Sequence, residues 1–528
     1  VERKNLLVPE AERWPLDPQR PVIELQDVSL SFGEKRVLSH LNLQIVAGQT
    51  TVIVGRSGSG KSVLLKLMMG LLRPTAGKVI LFGRDLAEVT DTELLELRKR
   101  MGMLFQNYAL FDALSVEENV GFTLLKNSDL ASKEISQLSR DLIRVLNLAG
   151  SEALLPSELS GGMKKRVALA RALVANPEVV LFDEPTTGLD PIMIENVDEM
   201  IVLAKEQYRI TSVIISHDMA STKRLADRVG FLHDGQIIFL GTHDEMMRSH
   251  LPPIRAFVEG AQTSRLARST ASPMAPIETV TPVGETPVVE LVGVYKKFGG
   301  KEVLKGIDLP IYPNRITVLI GASGSGKSVI IKHIMGLFKP TAGEIKVFGK
   351  NIVPMNDLEL NETRRHFGLL FQHAALLDWL TVEENIAFPL RERDTPRGEI
   401  RGRVDEILTR LKITDIARSM PSEISEGQKK RVGLARAIVT KPEIMIYDEP
   451  TTGQDPLRTR DIDNMIQEAQ QQFDITSIVI SHDMASTFRI AHMVAMLYKG
   501  EIAAYGTPAE VRASANEHVQ HFIHAGAV

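Results

Sequence analysis

The chain repeats itself, and this limits its fold more than any other feature, because whatever one half forms the other must form as well. The segment PVIELQDVSLSFGEKRVLSHLNL (21–43) returns as PVVELVGVYKKFGGKEVLKGIDL (287–309), and GRSGSGKS (55–62) returns as GASGSGKS (321–328), both 266 positions later. LFDEPTTGLDP (181–191) matches IYDEPTTGQDP (446–456), and SVIISHDMAST (212–222) matches SIVISHDMAST (477–487), 265 positions apart. The copies are expected over 21–260 and 288–528, after an N-terminal extension of residues 1–20. Residues 261–287, rich in Pro, Ser, Thr and Ala without apolar period, read as a flexible linker. Stretched at about 3.3 Å per residue, it would span on the order of 90 Å.

Within each copy, short apolar runs such as TTVIVG, VVLFDE and SVIISH alternate with helical stretches such as KSVLLKLMMGL and KKRVALARALVA. That alternation predicts an α/β layout around a largely parallel sheet. Composition serves to exclude. A net charge of −4 over 528 residues gives no basic footprint for nucleic acid. The absence of cysteine rules out disulfides, thiolate zinc sites and iron–sulfur clusters. No run approaches the roughly 18 apolar residues that a membrane span requires, and the start carries no signal-peptide core. The expectation is a chain that neither crosses a membrane nor is secreted.

The pattern G-x-x-x-x-G-K-S between a strand and a helix is a phosphate-binding loop. Gly55, Gly58 and Gly60 let the backbone wrap around phosphate oxygens and offer N–H donors beside a helix N-terminus, with Ser57 and Ser59 counted in the same nucleotide-binding set. Lys61 is expected to neutralise the β- and γ-phosphates of ATP, and Ser62 to ligate Mg²⁺. The second copy supplies Gly321, Ser323, Gly324, Ser325, Gly326, Lys327 and Ser328. Downstream, the runs VVLF and IMIY each end in Asp-Glu, whose side chains leave a strand end on opposite faces and so divide two tasks. Asp183 and Asp448 are expected in the Mg²⁺ shell. Glu184 and Glu449 are expected to orient and deprotonate the attacking water.

LSGGMKKRVALARAL (159–173) resembles the signature motif of the ABC ATPases, and the remaining elements of that family follow in order. The resemblance implies two tandem nucleotide-binding domains, each a RecA-like core with a helical subdomain. It also implies that Ser160, Gly161 and Gly162, of no use to their own domain, close over ATP held by the other half, as do Ser425, Glu426 and Gly427. Gln106 and Gln372 look like the Mg²⁺-sensing glutamine that leads to the transporter contact, and Asp190 and Asp455 match the interdomain loop aspartates. His217 and His482, each 33 residues after its glutamate, resemble the histidine that contacts the γ-phosphate. Phe32 and Phe298 are candidates to stack on adenine, with core packing as the other reading and Tyr295 a competitor in the second half.

Several stretches are similar to the ATPases of Mla/MCE-type lipid transport: SELSGGMKKR, LLFQHAALLDWLTVEENIAFPLRER (369–393), GQDP and the tails around Phe257 and Phe522. This implies a peripheral subunit on the cytoplasmic face of the inner membrane, working with a MlaE-like permease and MCE-domain proteins to move phospholipid, one chain supplying both ATPase domains. The stretches after Gln106 and Gln372 are expected to receive the permease, unless they only pack on their own domain. A tandem importer for small solutes and a ribosome-acting translation factor remain as alternatives. The second signature reads ISEGQKKR, placing Glu426 where the first has Gly161. A carboxylate about 5 Å from a γ-phosphate would cost roughly 3 kcal/mol at an effective dielectric of 20, and far less if it points into water, so unequal ATP sites are expected, one slow rather than dead.

Overall fold

The computed structural model describes residues 21–106, 108–266, 284–372, 374–393 and 395–525. The expected N-terminal extension lies outside them, as does most of the expected linker. The chain divides into two compact units whose boundary in sequence falls at Ala261–Gln262.

The first unit opens with β1 (Pro21–Phe32) and β2 (Lys35–Val46), in which buried and exposed residues largely alternate, the mark of strands covered on one face. With β4 (Ala76–Leu81) and β5 (Arg84–Asp85) they form an antiparallel sheet of order β2-β1-β4-β5. The main sheet is different in kind. Its strand β3 (Thr50–Val54) is buried at every position, as expected for parallel strands covered on both faces. Helices α1 (Lys61–Met68) and α2 (Asp91–Lys99) separate it from β6 (Met101–Leu104). After α3 (Val116–Asn127), α4 (Ser132–Val145) and α5 (Gly161–Leu173), the chain returns through β7 (Val179–Asp183), α6 (Pro191–Tyr208), β8 (Thr211–Ile215), α7 (Met219–Leu225), β9 (Arg228–His233) and β10 (Gln236–Gly241). The order is β10-β9-β3-β8-β7-β6, with only β10 antiparallel to its neighbour. Helices α3 to α5 form the helical part, and α5 buries Val167, Leu169, Ala170 and Leu173 in the core shared with the sheet. Helices α8 (His243–Met247) and α9 (Pro252–Leu266) follow, with Phe257 edge-to-face on Phe231 at 5.3 Å.

The second unit repeats this plan. Strands β11 (Val289–Phe298), β12 (Lys301–Ile311), β14 (Ala342–Val347) and β15 (Lys350–Asn351) form the antiparallel sheet; β13 (Ile316–Gly321) and α10 (Lys327–Ile334) frame the phosphate loop. Helix α11 (Asp357–Arg364) leads to β16 (Phe367–Leu370), then α12 (Val382–Arg391), α13 (Arg397–Arg410) and α14 (Glu426–Ile438) form the helical part. Strand β17 (Ile444–Asp448), α15 (Pro456–Phe473), β18 (Thr476–Ile480), α16 (Met484–Ile490), β19 (Met493–Tyr498) and β20 (Glu501–Gly506) complete the sheet of order β16-β17-β18-β13-β19-β20, before α17 (Pro508–Arg512) and α18 (Glu517–Ala525).

Two expectations are corrected here. The antiparallel sheet was not foreseen; its strands carry register shifts, between Leu25 and Val28 for example, that blur the two-residue period. The linker cannot begin at residue 261, because α9 continues through Leu266, over residues (AQTSRL) that include the good helix formers Ala, Gln, Arg and Leu.

Candidate functional site

In each unit the phosphate loop lies between the end of a fully buried strand and the first turn of a helix. Its glycines do not share one task. Gly55 has φ +152°, and a Cβ there would lie 2.3 Å from the carbonyl oxygen of Leu232 on β9; Gly321, at φ +145°, meets the carbonyl of Leu497 at the same 2.3 Å. Strand packing alone therefore demands a glycine at this first position. Gly60 and Gly326 are left-handed residues capping α1 and α10. Ser57, Gly58, Ser323 and Gly324 form the more open part of the loop.

Lys61 is buried, its Nζ donating to the carbonyls of Gly55 (2.8 Å) and Arg56 (2.9 Å), and Lys327 does the same to Gly321 (2.7 Å) and Ala322 (3.1 Å). Inside the same loops the hydroxyls of Ser59 and Ser325 are buried without a protein hydrogen-bond partner. Unpaired buried donors beside a lysine and a helix N-terminus suit phosphate oxygens.

The Asp-Glu pairs and histidines converge on this loop. Ser62 Oγ donates to Asp183 Oδ1 at 3.1 Å, and burial raises the carboxyls of Asp183 and Asp448 above their ordinary range. Glu184 and Glu449 follow with φ +50° and +48°, left-handed for non-glycine residues, and their N–H groups donate to the carbonyls of Ile215 and Ile480, both at 3.1 Å. Glu184 is gripped from several sides: Thr187 Oγ1 donates to it at 2.8 Å, Gln106 Nε2 donates at 3.2 Å, and His217 Nδ1 lies 3.6 Å away. In the second unit Thr452 donates to Glu449 at 3.2 Å and His482 Nδ1 lies at 3.6 Å, with Gln372 two residues beyond the end of β16. Burial works to raise both glutamates, but the neighbouring imidazole and lysine hold them below the ordinary carboxylate range. His217 is raised, burial being outweighed by Glu184. Each glutamate is thus a carboxylate at neutral pH, aimed by its own unit.

The signature residues lie at the start of α5 and α14. Ser160 Oγ accepts the N–H of Met163, and Ser425 forms a full capping box with Gln428, so these serines do serve their own domains as N-caps. Added side chains at Gly161 and Gly427 would meet nothing within 4 Å, while one at Gly162 would strike the tip of Met193. Ser328 is exposed on the first turn of α10. Glu426 points outward, its side chain 60% exposed and 2.7 Å from Lys429. Asp190 and Asp455 are buried, and Asp455 caps α15. Phe32 is half-exposed at the tip of the β1–β2 hairpin, whose Val37 and Leu38 pack around Gly60. Phe298 has the same place but meets Phe338 edge-to-face at 5.5 Å, and Tyr295 packs over Gly306.

Sequence reading missed the groups that brace this site. Arg171 and Arg436 donate to the carbonyls of Tyr108 and Ala109, and of Ala374 and Ala375, fixing the loops after the glutamines. Asn119 and Asn385, fully buried, each clamp the end of that loop. Their signal was recurrence at equivalent positions of both copies.

Beside that loop the units differ. In the first, Phe111 and Phe122 pack as tilted rings with centroids 4.5 Å apart, and the Arg171 guanidinium lies 5.9 Å from the Phe111 ring. In the second, Leu377 and Phe388 stand at the equivalent places and border a groove of about 310 Å³, lined also by Phe371, Pro389, Arg393 and Arg436. Trp379 nearby is 74% exposed.

The ABC transporter family matches residues 38–187 and 304–452, more than half of the sequence, and the matches run from within β2 and β12 to the threonines beside the glutamate. The chain belongs to the ABC transporter family. It is an ATP-binding subunit with two ATP-hydrolysing domains in one polypeptide. It is similar to a putative ABC transporter ATP-binding protein of Caldanaerobacter subterraneus, 28% identical over 93% of this chain and 92% of that one. It is also 28% identical to the glutathione import ATP-binding protein GsiA of Escherichia coli O157:H7, over 92% of this chain and 86% of that one. Among solved structures, cbiO1 from Clostridium perfringens, part of the ABC transporter complex cbiONQ, is 30% identical with a TM-score of 0.42, covering 44% of this chain and 92% of that one.

Proposed function

We propose that this chain powers a transporter whose membrane-spanning subunits are separate polypeptides, and that the cargo is phospholipid or a related lipid. Among the described residues no helix is long and apolar enough to cross a membrane. The observation that carries the reading is the face formed by 369–393. This stretch is similar to the Mla/MCE-type ATPases; it presents Phe371 and Phe388 to solvent at a groove, and Trp379 is exposed on the same stretch. An exposed apolar patch bordered by arginines suits a partner segment rather than water. The partners proposed are a MlaE-like permease and MCE-domain proteins, at the cytoplasmic face of the inner membrane.

At the nucleotide, Lys61 and Lys327 bind the terminal phosphates, while Glu184 and Glu449, held deprotonated, orient the attacking water and accept its proton. His217 and His482 keep the glutamates in place and reach the γ-phosphate. Mg²⁺ fits an all-oxygen set of Ser62, Asp183 and Gln106, or Ser328, Asp448 and Gln372. The half-buried Asp183 carboxyl, raised and paired with a neutral hydroxyl, is suited to a cation. Among the described residues no cluster of three or more His, Cys, Asp or Glu could hold a metal, which fits an ion carried in with the phosphates and bound through one carboxylate. The bound ion would neutralise charge on the transferring phosphoryl oxygens. Adenine is proposed to stack on Phe32 and Phe298, and the head-to-tail use of the two signatures follows from the resemblance.

A second reading, import of a small solute, is favoured by the similarity to GsiA, whose name states glutathione import. Purification of the tagged chain from native membranes decides between them. Co-purification of a MlaE-like permease with an MCE protein supports lipid transport; permeases accompanied by a solute-binding protein support import; ribosomes without membrane partners would overturn both.

A further inference from the structure

Each unit buries one lysine that the ATPase chemistry does not use. Lys165 and Lys430 lie in the second turn of α5 and α14, five residues after the signature serines, and are 2% and 5% exposed. Among the described residues no acidic side chain pairs directly with either ammonium. Lys165 Nζ donates to the carbonyl of Pro185 at 2.5 Å and to that of Thr187 at 3.0 Å. Lys430 Nζ donates to the carbonyl of Pro450. These carbonyls belong to the loop that starts at the catalytic glutamate, and the hydroxyl of the same Thr187 holds the Glu184 carboxylate. In the first unit a chain of bonds therefore runs from the signature helix through Lys165 and Thr187 to Glu184; what recurs in the second is the lysine bond to the prolyl carbonyl after the glutamate and the threonine bond to the glutamate, Thr452 to Glu449.

Burying an ammonium costs several kcal/mol unless its protons are satisfied, so a lysine kept there twice calls for a reason beyond packing. Burial pushes Lys165 down to about 7 and Lys430 to about 8, opposed by Glu184 in the first unit and by Glu426 in the second. The Tyr108 ring also faces Lys165, at 5.7 Å. Each lysine is thus poised between a signature turn and a glutamate loop, two parts that in this family serve different ATP molecules.

We infer that Lys165 and Lys430 are positioning residues that tie the catalytic glutamate loop to the signature helix of the same unit, so that a shift of that helix is felt at Glu184 or Glu449. The link sets the aim of the carboxylate and leaves ATP binding alone. It rests on Glu184 and Glu449 acting on the attacking water.

The test measures kcat, KM and the ATP dissociation constant in the K165M/K430M double variant, alone and combined with E184Q/E449Q. Methionine keeps the length and removes the donor. The expected result is a kcat at least tenfold lower, ATP affinity within threefold of the unsubstituted chain, and no further loss in the E184Q/E449Q background. K165Q/K430Q, whose amides still donate to carbonyls, should recover kcat to within about threefold. If the methionine variant does not melt cooperatively, T187V/T452V cuts the same chain at its other end and should lower kcat at unchanged affinity. Unchanged kcat in the folded methionine variant, loss of ATP affinity in step with kcat, or an equal further loss in the glutamine background overturns the link. Normal hydrolysis by E184Q/E449Q itself would instead overturn the role of the glutamates, so the two failures are distinguishable.

Discussion

Around the phosphate loop the two units are near copies. Lys61 and Lys327 rest on equivalent carbonyls, Ser59 and Ser325 are both buried without partners, and Glu184 and Glu449 adopt the same left-handed backbone. On the face beside β6 and β16 they part. The first unit pairs Phe111 with Phe122, and the second has a groove bordered by Leu377 and Phe388, with Trp379 exposed. Two copies that must each grip the same nucleotide stay under the same geometric demands. The faces beside β6 and β16 carry no such constraint, and under the proposed function their divergence means that the two units meet different partner segments.

The largest effect expected is on chemistry. E184Q with E449Q should lower ATP turnover by at least about a hundredfold, the scale of losing a general base, in a steady-state phosphate-release assay. Turnover like that of the unsubstituted chain would break the likeness of the two sites at its root. Next comes the unlike face. W379D with F388D places charge on the exposed Trp379 position and in the groove, and should reduce recovery of membrane partners by tenfold or more while ATP affinity stays unchanged; A113D, at the position equivalent to Trp379, should have the smaller effect. Equal losses from the two changes would mean that the surfaces are used alike.

The shared chemistry was legible because its residues are tied to local geometry. A G-x-x-x-x-G-K-S loop, an apolar run ending in Asp-Glu and a histidine at a fixed interval each reappear in both copies. Lys165 was not legible. Its partners lie 20 and 22 residues away, and a lysine in a run of basic residues reads as a solvated helix face until α5 is seen against the glutamate loop. The groove escaped for a related reason. Whether Phe388 is core or surface depends on what stands opposite, and replacing Phe111 with Leu377 changes the answer without changing the hydrophobic pattern. Glu426 marks a third limit, because the sequence leaves its direction open and the structure turns it outward to Lys429.

That outward turn makes the difference between the ATP sites small. A surface ion pair is worth about 0–1 kcal/mol, so under the proposed head-to-tail use of the signatures Glu426 would perturb the ATP site only slightly. E449Q should cost more turnover than E184Q, by no more than about threefold, and E426G should erase the gap. A tenfold gap that survives E426G would locate the asymmetry elsewhere. The smallest effect is structural. F122A removes a ring pair worth about 0.5–1.5 kcal/mol along with its buried area, and should lower the melting temperature of the first unit by a few degrees. F388A, whose ring borders an open groove, should lower that of the second unit less.

The central claim is that one chain holds two complete ATP sites. Equilibrium binding of radiolabelled ATP to the E184Q/E449Q chain, which cannot consume it, tests this most directly. Two ATP molecules per chain are predicted, falling to one on adding either Lys61→Ala or Lys327→Ala. Saturation at one ATP per chain, with one of those two lysine variants without effect, would contradict it.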